Sequence, residues 1–439
     1  MNSINMLLNT VRLFFYWLVV ELAGTLSFYR SYQNKSATKK VALLSFCLPP
    51  QFNSGTHRPL SFIKYAKEND WEIFSLTNTS DKPVTEAGRQ LYSELPHDST
   101  ITPFVDDFGA TSWQITPKLD GGFSNALSLT LRAIKVFKQS PPNVILASAP
   151  PFCYAVAGMW LSRMFKIPLV LDYRDEWTLC PFNFVSKTAF DRRLEKRSVA
   201  QASLILYTTE SHMRSHREHF SINADKQALI YNGWEDKGEK ITAQKDRSEA
   251  DTIRISYIGR LSGHIDLAPF IETLDKAIKQ TSALSVPIYV EFIGEKSAPL
   301  TKQLEAYIRQ DSLSFRLIST AQVSKVEALQ RMQNSDYLLM LCNQELASYI
   351  PGKLYDYLSR RVPVLAFGHE GEVSEILTNL NAGFFIAENN SQALLSSLAA
   401  DPLNLRENEA LDNWLYSRTR RHQAKSLFSE LNSRLGKSR

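Results

Sequence analysis

A chain of 439 residues, 44% hydrophobic and 22% charged, is long enough for two large domains or about three of ~150 residues, and its composition excludes wholesale disorder. Cys47, Cys153, Cys180 and Cys342 are scattered without a Cys-x-x-Cys pair, which speaks against a disulfide framework or a zinc site and for reduced thiols in a cytosolic compartment. The net charge is +5, with +4 on the first 40 residues and +6 on the last 24, which leaves the body at −5; this argues against a nucleic-acid binder and fits basic ends meeting an anionic membrane surface, a solvated basic helix at the carboxyl end being the alternative.

The first element is an apolar run, Leu13–Tyr29, seventeen residues interrupted by one acid, Glu21. A spanning helix needs ~20 mostly apolar residues. Phe14, Tyr16 and Trp17 at one end and Phe28 and Tyr29 at the other are suited to the membrane interface. Arg30, Lys35, Lys39 and Lys40 outnumber Arg12, so the positive-inside bias places the body on the cytoplasmic face of the cell membrane. Residues 1–40 thus read as a membrane-associated helix, spanning or half-buried, with a basic linker. The alternative is a helix packed on the protein's own core.

From Val41 onward, short apolar runs alternate with amphipathic segments. Strands are expected at Val41–Phe46, Trp71–Leu76, Val144–Ala147, Leu169–Asp172, Ala202–Tyr207 and Ala228–Tyr231, with helices near 58–68, 124–138, 152–165 and 210–220. Unbroken β-branched runs between helices are the mark of a parallel sheet buried on both faces. Residues 236–252 are charged and almost free of large apolar side chains, which marks a linker. The pattern then restarts, with strands expected at Ile253–Ile258, Ile288–Ile293, Phe315–Ile318, Tyr337–Leu341 and Pro363–Ala366, and a helical segment over Leu403–Leu431. The organisation read from this is an α/β chain with two Rossmann-like, doubly wound domains, 41–235 and 253–402, facing a central cleft, followed by a helical and basic tail, 403–439.

Loops after such strands present backbone N–H groups and helix amino termini that suit phosphate. Gly259-Arg260 follows one strand and Gly294 the next; a guanidinium there grips a diphosphate, or is an ordinary surface Arg. Tyr349–Phe367 (YIPGKLYDYLSRRVPVLAF) breaks at Pro351-Gly352 and places Lys353 in the first turn of a helix, with Asp356 one turn later. The Lys and the helix terminus would hold a leaving diphosphate and Asp356 would accept ribose hydroxyls, or the two side chains form a plain i,i+3 pair. In the first half, Asp172, Arg174 and Asp175 follow a strand expected to end at the cleft. A carboxylate there, Asp175 by preference, would take a proton or steady oxocarbenium charge; alternatively Asp172 and Asp175 cap a loop and pair with Arg174. Gly55 permits close backbone approach, with His57 and Arg58 facing acceptor or phosphate, or His57 simply starting a helix. His212, His216 and His219 share a helix face that reads as solvated rather than metal-binding, and no metal site or cofactor is expected.

Together, Gly55-Thr56-His57-Arg58, Ile167–Trp177 (IPLVLDYRDEW), Tyr231-Asn232-Gly233, Tyr257–Leu261 (YIGRL) and Tyr349–Phe367 resemble the family 4 retaining glycosyltransferases of the GT-B fold, in a variant whose nucleotide-sugar signature starts Pro-x-Lys-Leu, with Leu354 as its Leu. The resemblance spans nearly all of 41–415, and Ile167–Trp177 is similar to the P-x-x-x-D-x-R-D-x-W element of bacterial surface-polysaccharide members. It implies a nucleotide-sugar donor bound by the second half and a lipid-linked or glycan acceptor bound by the first. It puts the ribose-binding signature acid on Asp356 and the sugar-facing one on Ser348, a departure from glutamate. The Lys expected shortly after Gly-Arg is replaced by a stretch with His264. A sugar-nucleotide epimerase on the same scaffold and a non-catalytic partner of a polysaccharide assembly complex are the rival readings.

Overall fold

Apolar runs too continuous for a half-exposed sheet need cover on both faces, and the chain supplies it with helices. The computed structural model describes residues 3–78, 84–109, 116–183, 185–236, 238, 252–261, 265–280, 286–310, 312–400, 403 and 405–435. They form two units, Met1–Asn232 with Arg420–Arg439, and Gly233–Thr419. In the first, β1 (Lys39–Ser45), β2 (Trp71–Asn78), β3 (Thr100–Phe104), β4 (Val144–Ala149), β5 (Leu169–Tyr173), β6 (Leu204–Tyr207) and β7 (Gln227–Leu229) make a seven-stranded sheet in the order β3-β2-β1-β4-β5-β6-β7. In the second, β8 (Ile253–Ile258), β9 (Ile288–Ile293), β10 (Arg316–Thr320), β11 (Tyr337–Cys342), β12 (Val364–Gly368) and β13 (Gly383–Ala387) make a six-stranded sheet in the order β10-β9-β8-β11-β12-β13. All strand pairs are parallel.

Strand order reverses direction at β1/β4 and at β8/β11. Such switch points leave a crevice outside the carboxyl ends of the strands, where ligands bind in open α/β sheets. The Gly55–Arg58 segment follows β1, Gly259-Arg260 follows β8, and the Lys353 helix, Gly352–Ser359, follows β11.

Two strands escaped the sequence reading. β3 is half-exposed and contains Pro103, so it shows no apolar run; β13 lies at the other sheet's edge with only Ile386 buried. Edge strands lack the two-sided burial that makes central strands legible. His264 and most of the 236–252 linker lie outside the described residues.

The amino-terminal helix Ser3–Thr25 packs on its own unit along one side. Leu13 and Val20 are fully buried against the core, and Trp17 meets Phe123 and Phe190 edge-on at centroid distances of 5.6 and 6.4 Å. Glu21 accepts from Trp160 Nε1 (3.0 Å), Arg163 (2.9 Å) and Arg197 (2.7 Å). The carboxyl-terminal helix Arg420–Leu435 also belongs to this unit. Ala424, Leu427, Phe428 and Leu431 are buried, with Phe428 stacked on Trp71 at 6.1 Å. Its charges are partly engaged, Arg421 with Glu68 at 2.8 Å and Arg434 with Glu430 at 2.5 Å. As far as Leu435, the basic tail is therefore not a wholly solvated helix.

Candidate functional site

In the first unit, Ile167–Trp177 is largely internal framework. Asp172 is completely buried and pairs with Arg58, itself 6% exposed: Nη2 to Oδ1 is 2.7 Å, and Nε lies 3.1 Å from both carboxylate oxygens. Ser148 Oγ donates to the same carboxylate at 2.8 Å, and Arg58 Nη1 donates to the carbonyls of Ile230 (2.6 Å) and Tyr231 (2.9 Å). A charge taken out of water persists only when paired and hydrogen-bonded, and this pair is both. Asp172 as a catalytic carboxylate and Arg58 as an acceptor ligand are corrected accordingly: they tie the ends of β4 and β5 to the helix His57–Tyr65 and to the segment after β7.

Arg174 is similarly spent. It donates to the Ala149 carbonyl at 3.3 Å, to Gly55 O at 3.1 Å and to Pro150 O, joining the loops after β1 and β4. A β-carbon on Gly55 would stand 2.0 Å from Arg174 Nη1, so the glycine serves this guanidinium. The side chain left facing solvent is Asp175. Protein crowds it nonetheless, and burial pushes its carboxyl above the usual range against the pull of Arg174, with Asp172 adding to the rise. A solvent-reachable carboxyl of raised pKa is the kind of group that trades protons. His57, two residues after Gly55, is half-buried and edge-on to Phe52 at 6.3 Å. Trp177, fully buried, stacks on Phe152 at 4.7 Å.

The histidine face read as solvated is mostly core. His212 and His216 are buried; His216 Nδ1 meets Tyr207 Oη at 2.7 Å and Nε2 meets Glu195 at 3.4 Å, while only His219 of the three is exposed. Burial, helped by neighbouring His216, holds His212 down to about 3, so it is neutral at physiological pH. Among the described residues no cluster of three or more His, Cys, Asp or Glu side chains could hold a metal ion.

In the second unit, the residues from the two halves of the signature converge. Lys353 opens the helix Gly352–Ser359; its Nζ lies 3.7 Å above the Tyr257 ring centroid, donates to the Tyr257 hydroxyl, and stands 3.5 Å from where a β-carbon on Gly259 would be. Tyr257 Oη in turn donates to the Arg260 carbonyl at 3.0 Å. One turn on, Tyr357 Oη accepts from Ile258 N at 2.7 Å and donates to Ile258 O at 3.0 Å. The helix is thus fixed to the end of β8 by two i,i+4 side chains. Burial pulls Lys353 down to about 7, with Cys342 opposing. Pro351 at the N-cap offers no side-chain acceptor, a β-carbon on Gly352 would meet nothing within 4 Å, and Leu354 N donates to Pro351 O at 2.9 Å.

Gly294 approaches the same corner. Its φ is +130°, and a β-carbon there would stand 2.3 Å from Gly259 O. Lys296 donates to the carbonyls of Gly294 (2.9 Å) and Thr320 (2.6 Å), and burial lowers its pKa. Arg260 projects its exposed side chain toward Glu295, at 3.5 Å. Leu354 is core, Ser348 half-buried, and Asp356 exposed on the second turn. Sequence reasoning missed Tyr257, Tyr357 and Lys296. Tyr257 stood at the head of the Tyr257–Leu261 segment without a role of its own, and Tyr357 left a trace as the residue four after Lys353, where helical side chains share a face.

Residues 89–233 match the family model of a glycosyl transferase 4-like domain. No curated protein matches the chain. Among solved structures, a glycosyltransferase from Rickettsia africae ESF-5 is similar at a TM-score of 0.63 and 13% identity, covering 92% of this chain and 100% of that one. The lipopolysaccharide outer core galactosyltransferase WaaB is similar at 0.63 and 12% identity, over 90% and 99% of the two chains. Anabaena HepE in complex with UDP and glucose is similar at 0.62 and 16% identity, over 90% and 99%. The expected fold is thereby established. Residues 89–233 thus carry a glycosyl transferase 4-like domain, and the chain as a whole has the two-domain GT-B fold.

Proposed function

We propose that this protein transfers a hexosyl residue, with retention and without a metal, from a nucleoside diphosphate sugar to a lipid-linked or glycan acceptor in cell-surface polysaccharide synthesis, at the cytoplasmic face of the membrane. The observation that carries the reading is the corner where Lys353 and the uncapped first turn of Gly352–Ser359 meet the Gly259-Arg260 turn. N–H groups at a helix amino terminus and an ammonium complement a diphosphate. HepE, on the same fold, holds UDP and glucose, which supports a nucleotide donor here.

In the proposed reaction the bond between the anomeric carbon and the β-phosphate oxygen breaks, and the nucleoside diphosphate leaves with the electron pair. The acceptor hydroxyl oxygen bonds to the anomeric carbon on the same face and gives its proton to the departing phosphate oxygen. Lys353 and the helix terminus take up the charge that develops on the leaving group, preorganised by Tyr257 and Tyr357. Asp356 accepts from the ribose hydroxyls, Ser348 and Gly294 line the donor side, and Arg260 exchanges Glu295 for phosphate. In the first unit, Asp175 is the carboxylate assigned to the acceptor, with Gly55 and His57 as the other acceptor-binding residues.

Thermal unfolding in a panel of UDP-, GDP- and ADP-sugars tests the donor, because a bound donor raises the midpoint by mass action. Sugar transfer in purified membranes tests the reaction. Lys353→Ala is expected to abolish the donor-induced shift and depress turnover strongly; a variant with full transfer activity would remove the reading.

A further inference from the structure

We propose that the helix Ser3–Thr25 docks in the plane of an anionic lipid bilayer, clamped to the body along one side and presenting an apolar stripe to the lipid along the other. This goes beyond the transfer reading, and lipid binding is measured without turnover, so each stands or falls on its own experiment.

The stripe is continuous. Ile4, Leu8, Val11, Phe15, Leu18 and Leu22 recur at spacings of four and three and are 54–68% exposed. A residue every 3.5 positions keeps to one side of a helix, and this side covers nothing in its own unit. Segment Ile4–Thr25, 22 residues at mean hydropathy 1.5, is long and apolar enough to cross a bilayer by length and composition alone. The other side decides against crossing. Leu13 and Val20 are sealed into the core, and Glu21 holds Trp160, Arg163 and Arg197 at 3.0, 2.9 and 2.7 Å. To span, the helix would carry that carboxylate into hydrocarbon and strip two arginines of their partner, at a cost an exposed stripe lying flat does not incur.

Charge names the occupant. The helix is flanked by two others, Phe123–Gln139, reached through Trp17 and Phe123, and Ala189–Gln201, reached through Trp17 with Phe190 and Glu21 with Arg197. The first carries exposed Arg132, Lys135 and Lys138 and no acid; the second carries exposed Arg192, Arg193 and Lys196, while its acids, Asp191 and Glu195, are buried. On these two helices every exposed charge is therefore positive, six cations in all, against the exposed Asp107 on the loop that Arg12 reaches at 3.3 Å. Two copies meeting stripe to stripe would bring these cations together, whereas anionic headgroups neutralise them, at roughly fivefold in affinity per basic residue near the surface.

The test uses the full chain and sedimentation with vesicles of phosphatidylcholine, with or without phosphatidylglycerol. Wild type is expected to bind the mixed vesicles and to bind neutral ones far more weakly. Val11→Ser with Phe15→Ser, both on the exposed side, should weaken binding roughly a hundredfold. Lys135→Gln with Arg193→Gln and Lys196→Gln should erase the preference for phosphatidylglycerol. A β-carbon on Gly24 would lie 3.5 Å from Arg163 Cβ, so Gly24→Cys with Arg163→Cys forms a disulfide that locks helix to body. The locked protein should bind as wild type does. Failure of wild type to bind phosphatidylglycerol vesicles, unchanged binding by the stripe variant, or loss of binding on locking would each overturn the proposal. So would a lipid-free dimer that the stripe variant dissolves.

Discussion

Lys353 offers the sharpest test because its environment sets both a magnitude and a sign. Burial holds its ammonium at about 7 in the free protein, against an ordinary lysine value near ~10.4. A bound diphosphate brings two or more negative charges to that nitrogen and returns its pKa toward the ordinary value. Binding then takes up a proton wherever free Lys353 is neutral, that is, above about pH 7. By linkage the dissociation constant of UDP should rise with pH from there, by up to tenfold per pH unit and about fiftyfold between pH 7 and 9. Titration calorimetry across that range, in buffers of differing ionisation enthalpy, reads both affinity and proton uptake. Lys353→Gln should bind UDP ten- to a hundredfold more weakly at pH 6, the loss of a charge-assisted hydrogen bond of about 1.5–3 kcal/mol, and should lack the pH dependence. Lys353→Arg, which cannot deprotonate, should lack it too. A wild-type affinity flat from pH 6 to 9, or a dependence that persists in the glutamine variant, would refute the reasoning.

Other outcomes follow from the same geometry. Asp172→Asn leaves the buried Arg58 guanidinium uncompensated and should cost about 3–5 kcal/mol of stability in denaturant unfolding, whereas Asp175→Asn should leave the midpoint in place and lower transfer about a hundredfold. Burial by itself would raise Glu21, yet the hydrogen bonds from Arg197, Trp160 and Arg163 outweigh it and hold the carboxyl at about 2, below the ordinary 4.5. A depressed acid stabilises above its unfolded pKa, so the clamp is worth up to about 3 kcal/mol at neutral pH and is lost as pH falls from 4.5 toward 2. Limited proteolysis of the amino-terminal helix in acid should show this, and Glu21→Gln should be susceptible at neutral pH already. Gly294→Ala places a β-carbon 2.3 Å from Gly259 O at φ +130°; about 1–3 kcal/mol of strain should appear as a lower melting temperature together with weaker UDP binding, and an unchanged melting temperature would show that the corner yields.

The local chemistry of the chain already contained most of the central strands, the punctuation between them and the Lys353 helix. β1, β4, β5, β8 and β11 are buried over most of their length on both faces, so their residues are mostly apolar and announce themselves. Pro351 and Gly352 mark the helix start because a proline cannot extend a helix backward and a glycine cannot cover it. Thr188 with Asp191 forms a capping box that was equally readable and would have placed the helix Ala189–Gln201. What no local pattern contains is which polar group meets which. Asp172 near the end of β5 and Arg174 and Asp175 just after it are three side chains equally suited to catalysis; only the packing of Ile230, Tyr231 and the helix His57–Tyr65 spends Asp172 on Arg58, and only the carbonyls of Gly55, Ala149 and Pro150 spend Arg174, leaving Asp175 at the surface. Likewise, Leu13–Tyr29 is apolar on all sides by composition. Which side is core was settled by residues more than a hundred positions away, Trp160, Arg163 and Arg197 around Glu21, because a hydrophobic run states how much surface avoids water and not what takes the water's place.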